Sequence, residues 1–215
     1  MQASAASLDI QRIFDFVVEL DKLKAVLRRA KPVGLDRYEN SAEHSWHAAV
    51  LAMLLAKHST APVDLQRVIE ILLVHDIPEI DCGDQFVYTR DVAQVAVAEA
   101  AAAERIFGLL PPAEGEWLLS RWREYEDRQT PEAKLAYAAD RLMPVLHNVR
   151  GGARSWREND VALARVKEIT RAIGDACPAV WAEVEPLIDS LFVDGILAPP
   201  STAASPRPRD DEQRS

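Results

Sequence analysis

Two histidines and two aspartates, spread over three distant stretches of the sequence, have the chemistry of a metal site. His75 and Asp76 are neighbours, and adjacent residues of a helix project about 100° apart, so both can bind one ion only near a helix end. Pro78 favours such an end, because a proline disfavours helical geometry at the residue before it. His44 and Asp140 lie far away in the sequence. The fold must therefore bring them to His75 if the four residues form one site.

Two imidazoles and two carboxylates form a mixed nitrogen and oxygen donor set. Such a set suits transition metals and zinc better than Ca²⁺. We expect one divalent cation, with Mn²⁺, Co²⁺, Fe²⁺, Ni²⁺, Zn²⁺ and Mg²⁺ as candidates. If the ion is six-coordinate, four protein ligands leave two positions for water and substrate.

The composition predicts one all-α domain with an acidic surface. The chain has 215 residues, 48% of them apolar and only eight of them glycine, and its long Ala- and Leu-rich stretches lack the alternation of strands. A net charge of -9 repels a phosphate backbone and argues against a nucleic-acid polymer as partner. Small phosphorylated molecules stay possible, since a bound metal and a few arginines can reverse the local field.

Neither secretion nor membrane insertion is expected from the sequence. Cys82 and Cys177 are too few for a disulfide framework, which favours reduced thiols. The first residues lack the basic and apolar regions of a signal peptide, and no segment approaches about 18 uninterrupted apolar residues. We expect a cytoplasmic protein without a membrane partner.

Apolar residues at three- and four-residue spacing predict the helices that must position these side chains. Asn40 and Glu43 have the spacing of a capping box, and Thr130 followed by Pro131 is a strong helix start. Pro144 is expected to kink the helix that holds Asp140. The predicted helices span residues 8–29, 40–58, 64–74, 91–110, 116–126, a segment from 130 through Asp140, 159–173 and 178–191.

The chain divides into three predicted regions. Residues 1–7 form a flexible N-terminus, residues 8–197 a single helical bundle, and residues 198–215 a disordered tail rich in proline and charge. A loop over residues 78–89 follows the His75-Asp76 pair.

Three sequence motifs, in this order, resemble the HD-domain metal-dependent phosphohydrolase superfamily, and its 5'-deoxynucleotidase-like branch most of all. They are RYENSAEHS (residues 37–45), HDIPE (75–79) with GD (83–84), and ADR (139–141). The resemblance covers about residues 8–191 and implies an HD-domain helical bundle around a mononuclear metal site. The ligands that it implies are His44, His75, Asp76 and Asp140. Members with two or three metals recruit extra histidines between the HD pair and the last aspartate, and none occurs there in this chain.

The resemblance also implies catalytic and substrate-binding residues. Glu79 matches an acidic position that acts in acid/base chemistry or positions water, and Asp84 matches a position in the same network. The family's phosphate-contacting arginine lies at the end of the first helix, where this chain has Arg28 and Arg29. The family's tryptophan beside it has no counterpart here, which leaves the sugar preference open. Two further substrate-binding candidates are Arg37 and Trp46.

The expected activity is removal of the 5'-phosphate from nucleoside monophosphates by a metal-dependent phosphomonoesterase, with a small-molecule nucleotide as substrate. One alternative is an HD hydrolase of another phosphate ester, such as a nucleoside triphosphate or an alarmone. Another is a nucleotide sensor without turnover. Because members of the family are often dimers, the resemblance also implies a homodimer or higher homo-oligomer.

Overall fold

A computed structural model describes residues 5–89 and 91–193, and ten α-helices account for most of them. They are α1 (Ala5–Glu19), α2 (Ser41–Leu55), α3 (Leu65–Val74), α4 (Glu79–Cys82), α5 (Val92–Phe107), α6 (Pro112–Asp127), α7 (Pro131–Arg150), α8 (Arg154–Glu158), α9 (Leu163–Ala176) and α10 (Pro178–Val193). These ranges contain no β-strand, which confirms the all-α prediction. The proposed tail, residues 198–215, lies outside the described residues.

The prediction of a first helix over residues 8–29 is wrong in its second half. Helix α1 begins at Ala5 and ends at Glu19, and the chain continues as a 3₁₀ helix over Leu20–Ala25. After it the backbone is extended, because it pairs with the residues that precede α2. The amide of Arg28 donates to the carbonyl of Glu39 at 2.9 Å, and the amide of Glu39 donates to Ala30 at 2.9 Å. Periodicity of apolar residues cannot reveal such a long-range pairing.

The predicted helix starts are confirmed where side chains cap them. Asn40 accepts from the amide of Glu43 at 2.9 Å, and the Glu43 carboxylate accepts from the amide of Asn40 at 2.8 Å. Thr130 likewise caps α7, which continues through Pro144. Elsewhere the boundaries differ: the predicted loop 78–89 contains α4, and helix α6 starts at Pro112. The predicted helix 159–173 corresponds to α9, which starts at Leu163 and ends at Ala176, and the short helix α8 before it was not predicted.

Helix α7 lies at the centre of the bundle and packs against α2, α3, α6 and α9. Small side chains allow the close approach, since Ala48 and Ala52 of α2 and Ala139 of α7 are fully buried beside Leu72 of α3. Burial of a side chain such as Leu72 contributes about 1.5–3 kcal/mol. The packing of α2, α3 and α7 fixes the relative positions of His44, His75 and Asp140. Among the described ranges, no helix has the length and apolar character that crossing a bilayer requires.

Candidate metal centre

Three potential ligands converge where α2, α3 and α7 meet. His44 lies in the first turn of α2, His75 directly follows α3, and Asp140 lies in the middle of α7. Nε2 of His44 is 2.9 Å and Nε2 of His75 is 3.9 Å from Oδ1 of Asp140. All three residues are buried, and one donor atom of each lies within 4.8 Å of the others. The packing thus assembles a set of ligand atoms that could hold one cation.

The orientation of His75 fits a metal ligand. Its Nδ1 lies 2.8 Å from the carbonyl of Leu72, and since a carbonyl only accepts, Nδ1 carries the proton. In the neutral ring, Nε2 then has the lone pair; this atom is buried and has no hydrogen-bond partner among the described residues. Oδ1 of Asp76, the fourth predicted ligand, lies 3.0 Å from this nitrogen. A cation at this point would satisfy an atom that is otherwise unpaired.

Asp140 is fixed by two residues that hold its outer oxygen. The hydroxyl of Tyr125 donates to Oδ2 at 2.5 Å, and Nη2 of Arg141 lies 2.8 Å from the same atom. Burial raises the pKa of Asp140, but Arg141 and the two histidines outweigh it and hold this pKa well below its usual range. Oδ1 therefore faces the histidines as an ionised ligand atom.

The sequence motifs did not identify Tyr125. The residue lies three positions after the buried Trp122 on α6, so helical spacing indicates that Tyr125 is buried on the same face. Its partner on α7 lies 15 residues further along the chain and follows only from the packing of the two helices.

At neutral pH in the metal-free protein, the imidazole of His44 is protonated on both nitrogens and positively charged. Burial and Arg28 lower the pKa of His44, but Asp140 and Glu39 raise it further, to about 9. Binding of a cation to Nε2 must displace that proton, so the affinity of the site for a metal depends on pH.

Arg28 lies next to the ligands, in the midst of five carboxylates. Its Nη1 is 2.8 Å from Oδ2 of Asp76, and its side chain is only 10% exposed. Burial lowers the pKa of Arg28, but the surrounding acids raise it above its usual range, so the guanidinium stays charged. The carboxylates within 4 Å belong to Glu39, Asp76, Glu79, Asp84 and Asp140.

Glu79 and Asp84, like Arg28, line a cavity next to the ligand cluster. Burial and the charge of Asp76 raise the pKa of Glu79 well above its usual range, which favours a protonated carboxyl. The hydroxyl of Ser41 donates to Oε2 of Glu79 at 2.5 Å. Burial also raises the pKa of Asp84. A carboxyl whose pKa is raised suits a general acid/base.

The cavity has a volume of roughly 80 Å³ and is open to solvent at its mouth. The candidate ligands His75 and Asp76 line it together with Arg28. Arg29 also lines the cavity, and its guanidinium lies 5.3 Å from the centre of the Phe86 ring. Aromatic side chains of Tyr88, Tyr125, Tyr137 and Trp156 also line the cavity, together with polar residues such as Arg128 and Asn148.

Arg37 and Trp46, two candidates for substrate binding, do not line this cavity. The guanidinium of Arg37 forms a two-pronged pair with Glu43, at 2.5 and 2.8 Å, on the surface. Trp46 is 60% exposed and stacks on His47. It follows His44 by two helical positions and so projects about 200° away from the ligand.

A family model described as the HD domain matches residues 20–181 of the chain. The chain belongs to the HD domain family. This result confirms the family that the three motifs indicated, and the matched region includes all four proposed metal ligands of the HD domain.

The HD domain of this chain is similar to several other proteins. A crystal structure described as a predicted metal-dependent phosphohydrolase from Magnetospirillum magnetotacticum is 39% identical, covers 92% of this chain and 100% of its own, and superposes with a TM-score of 0.86. An HD-domain phosphohydrolase from Listeria innocua, 15% identical with a TM-score of 0.57, covers 85% of this chain and 86% of its own and shares the fold. The 5'-deoxynucleotidase HDDC2 of Danio rerio is 27% identical over 142 residues, or 61% of this chain and 68% of its own. At this level the comparisons support a metal-dependent HD phosphohydrolase.

Proposed function

We propose that this HD domain removes the 5'-phosphate from ribo- or deoxyribonucleoside monophosphates. The observation that carries the proposal is the position of Arg28, a buried guanidinium 2.8 Å from Asp76, which lies beside the metal-ligand cluster and lines the cavity. A phosphate group requires positive charge, and arginine offers a planar fork for its oxygens. The relative from Danio rerio supports a monoester as the substrate.

His44, His75, Asp76 and Asp140 would hold one divalent cation. Their donor atoms fit this role, because Nε2 of His75 is buried without a hydrogen-bond partner among the described residues, and carboxylate oxygens of Asp76 and Asp140 lie 3.0 and 3.9 Å from it. The bound ion would polarise the phosphate and activate water. The experiment with added metals identifies the ion.

Side chains around the cluster would bind the phosphate, transfer a proton and contact the nucleoside. Arg28 would bind phosphate oxygens, while Asp76 and Asp84 keep its guanidinium in place at 2.8 and 3.6 Å. Glu79, held by Ser41, would transfer a proton or orient water at the reacting phosphate. Arg29 and Phe86 line the cavity further along and would contact the nucleoside.

The test is phosphate release from a panel of ribo- and deoxynucleoside monophosphates. The protein is first treated with a chelator, and Mn²⁺, Co²⁺, Fe²⁺, Ni²⁺, Mg²⁺ or Zn²⁺ is then added back. We expect release that depends on metal and is absent in Asp76→Ala. Glu79→Gln should still bind metal but turn over about 10² to 10⁴ times more slowly.

Two results would replace this proposal by one of the alternatives. Release of pyrophosphate or triphosphate from a nucleoside triphosphate or an alarmone, with no release from monophosphates, would indicate a different phosphate ester. Binding of a nucleotide without product under any metal would indicate a sensor.

We also propose a homodimer or higher homo-oligomer in which α1 is covered by another copy. Among the α1 side chains that the structure describes, Phe16 alone is fully buried, whereas Phe14, Val17 and Val18 are each more than half exposed. Exposed apolar surface of this kind is typical of interfaces. Light scattering should show an oligomer for the natural chain and a smaller species for Val18→Asp, and a monomeric natural chain would contradict the proposal.

The cytoplasmic location stays a prediction.

A further inference from the structure

Glu39 is a buried carboxylate that neither the metal-ligand set nor the catalytic assignment uses. It precedes α2 by two residues and is 1% exposed. Its backbone pairs with the extended segment that carries Arg28, through hydrogen bonds of 2.9 Å in each direction, to Ala30 and from Arg28. The position of Glu39 is therefore fixed relative to Arg28 by the backbone itself.

The carboxylate of Glu39 contacts three basic side chains from three parts of the fold. Oε1 lies 3.3 Å from Nδ1 of His44 and 3.4 Å from Nε of Arg28, and Oε2 lies 3.6 Å from Nδ1 of His147. Each of these three nitrogen atoms is buried and has no hydrogen-bond partner within the described residues. Oε1 of Glu39 also has no hydrogen-bond partner there, so these are charge contacts at 3.3 to 3.6 Å, with Glu39 as the acceptor within reach of all three nitrogens.

Glu39 lies behind both residues that face the reaction site. The imidazole of His44 has Glu39 at Nδ1, while its Nε2 faces Asp140 at 2.9 Å. The guanidinium of Arg28 has Glu39 at Nε, while its Nη1 faces Asp76 at 2.8 Å. In both side chains the atom nearest Glu39 lies opposite the atom that would meet the cation or the phosphate.

We propose that Glu39 is a positioning residue that orients His44 for the cation and Arg28 for the phosphate at the same time. By accepting the Nδ1 proton of His44, it leaves the lone pair of Nε2 for the metal, as carboxylates behind ligating histidines do. By accepting from Nε of Arg28, it directs the Nη atoms toward the cavity. One carboxylate thereby couples metal binding to anion binding. The inference rests on the metal site under Proposed function.

Three variants test this role. Glu39→Gln keeps the shape of the side chain and removes its charge, and Glu39→Ala removes the acceptor. Glu124→Gln is the matched control, because Glu124 is also a buried carboxylate, 2.8 Å from Arg67 and 3.5 Å from Arg121, but does not line the cavity. Melting temperatures of the metal-free proteins show whether each variant is folded.

The main measurements are calorimetric titration of the full chain with Co²⁺, the visible spectrum of the bound Co²⁺, and the ¹⁵N-detected Nδ1 proton of His44 in the Zn²⁺-loaded protein. We expect Glu39→Gln to weaken Co²⁺ binding about 10-fold and Glu39→Ala up to about 100-fold, the range for residues that orient metal ligands. The hydrogen-bonded Nδ1 resonance should be present in the natural protein and shifted in Glu39→Gln. Inorganic phosphate should also bind the Co²⁺-loaded Glu39→Gln protein more weakly. In Glu124→Gln all four measurements should match the natural protein.

The outcomes separate the two proposals. If the natural chain binds no divalent cation, the metal site is wrong. If it binds Co²⁺ and folded Glu39→Gln shows the same affinity, spectrum and Nδ1 resonance, Glu39 has no positioning role. If metal affinity falls but phosphate binding does not, the coupling to Arg28 is overturned.

Discussion

The hydroxyl of Tyr125 lies 2.5 Å from Oδ2 of Asp140, while Oδ1 of the same carboxylate faces His44 at 2.9 Å. The two oxygens of one aspartate thus have different partners. Arg141 binds the same oxygen as Tyr125, since its Nη2 lies 2.8 Å from Oδ2. A carboxylate held at one oxygen presents the other in a fixed direction, which favours a single mode of metal ligation.

Tyr125→Phe removes the hydroxyl and leaves the ring contact with His75 in place. We expect cation affinity to fall about 10-fold, because Arg141 alone then holds Oδ2 of Asp140. The free energy of unfolding should fall by about 2 kcal/mol, typical for a hydrogen bond to a charged group. Calorimetry and urea denaturation measure the two effects. Tyr137→Phe, on the same wall of the cavity, is the control, and an equal loss of affinity there would contradict the role of the Tyr125 hydroxyl.

Arg28→Lys keeps a positive charge among the carboxylates but removes the planar fork. We expect KM for a nucleoside monophosphate to rise about 10-fold or more, because a point charge cannot pair with two phosphate oxygens at once. Steady-state kinetics with added metal measure the change. The control is Arg123→Lys, at an exposed arginine of α6 that pairs with Glu104 and Glu116. An unchanged KM in Arg28→Lys would remove Arg28 from phosphate binding.

The stability of the metal-free protein should fall as the pH rises from about 6.5 to 9. The pKa of His44 is raised from 6.5 to about 9 in the folded protein. A raised pKa contributes stability that is complete below the unfolded value of 6.5 and is lost as pH approaches 9. The loss should be on the order of 3 kcal/mol relative to His44→Gln, since one pKa unit corresponds to about 1.4 kcal/mol.

Urea denaturation of both proteins across this pH range provides the measurement. The difference between the natural protein and His44→Gln removes the contribution of other titrating groups, among them Glu79. A difference that does not vary with pH would show that His44 is neutral in the folded, metal-free protein.

Arg37→Ala and Trp46→Ala should leave kcat and KM unchanged. Both side chains lie on the surface outside the cavity, with Arg37 paired to Glu43 and Trp46 stacked on His47. The same kinetic assay measures them. A rise in KM in Trp46→Ala would mean that the nucleoside extends to α2.

Local sequence signals predicted the parts of the fold that depend on neighbouring residues. The capping box of Asn40 and Glu43, the cap at Thr130 and the helix end before Pro78 all depend on contacts within a few positions. The motifs around His44, His75 and Asp140 were sufficient to name the family. Each of these features is encoded by residues a few positions apart, so it can be recognised in a single sequence.

Contacts between distant segments required the tertiary structure. The bend after Ala25 exists because the backbone of Arg28 pairs with Glu39, a residue beyond a connecting loop. That pairing places Arg28 beside the ligands, whereas Arg29 lines the cavity and pairs with the ring of Phe86. Apolar spacing alone favoured a continuous helix that would have offered both arginines equally.

The sequence by itself determined the donor types, the acidic surface and the helices that carry them, since these follow from side-chain chemistry and local backbone preference. Only the tertiary structure decided which oxygen of Asp140 faces the histidines, which arginine lies among the carboxylates, and that Glu39 stands behind both His44 and Arg28. Those arrangements depend on the packing of α2, α3, α6 and α7 and on one backbone pairing, which no short segment of the chain specifies.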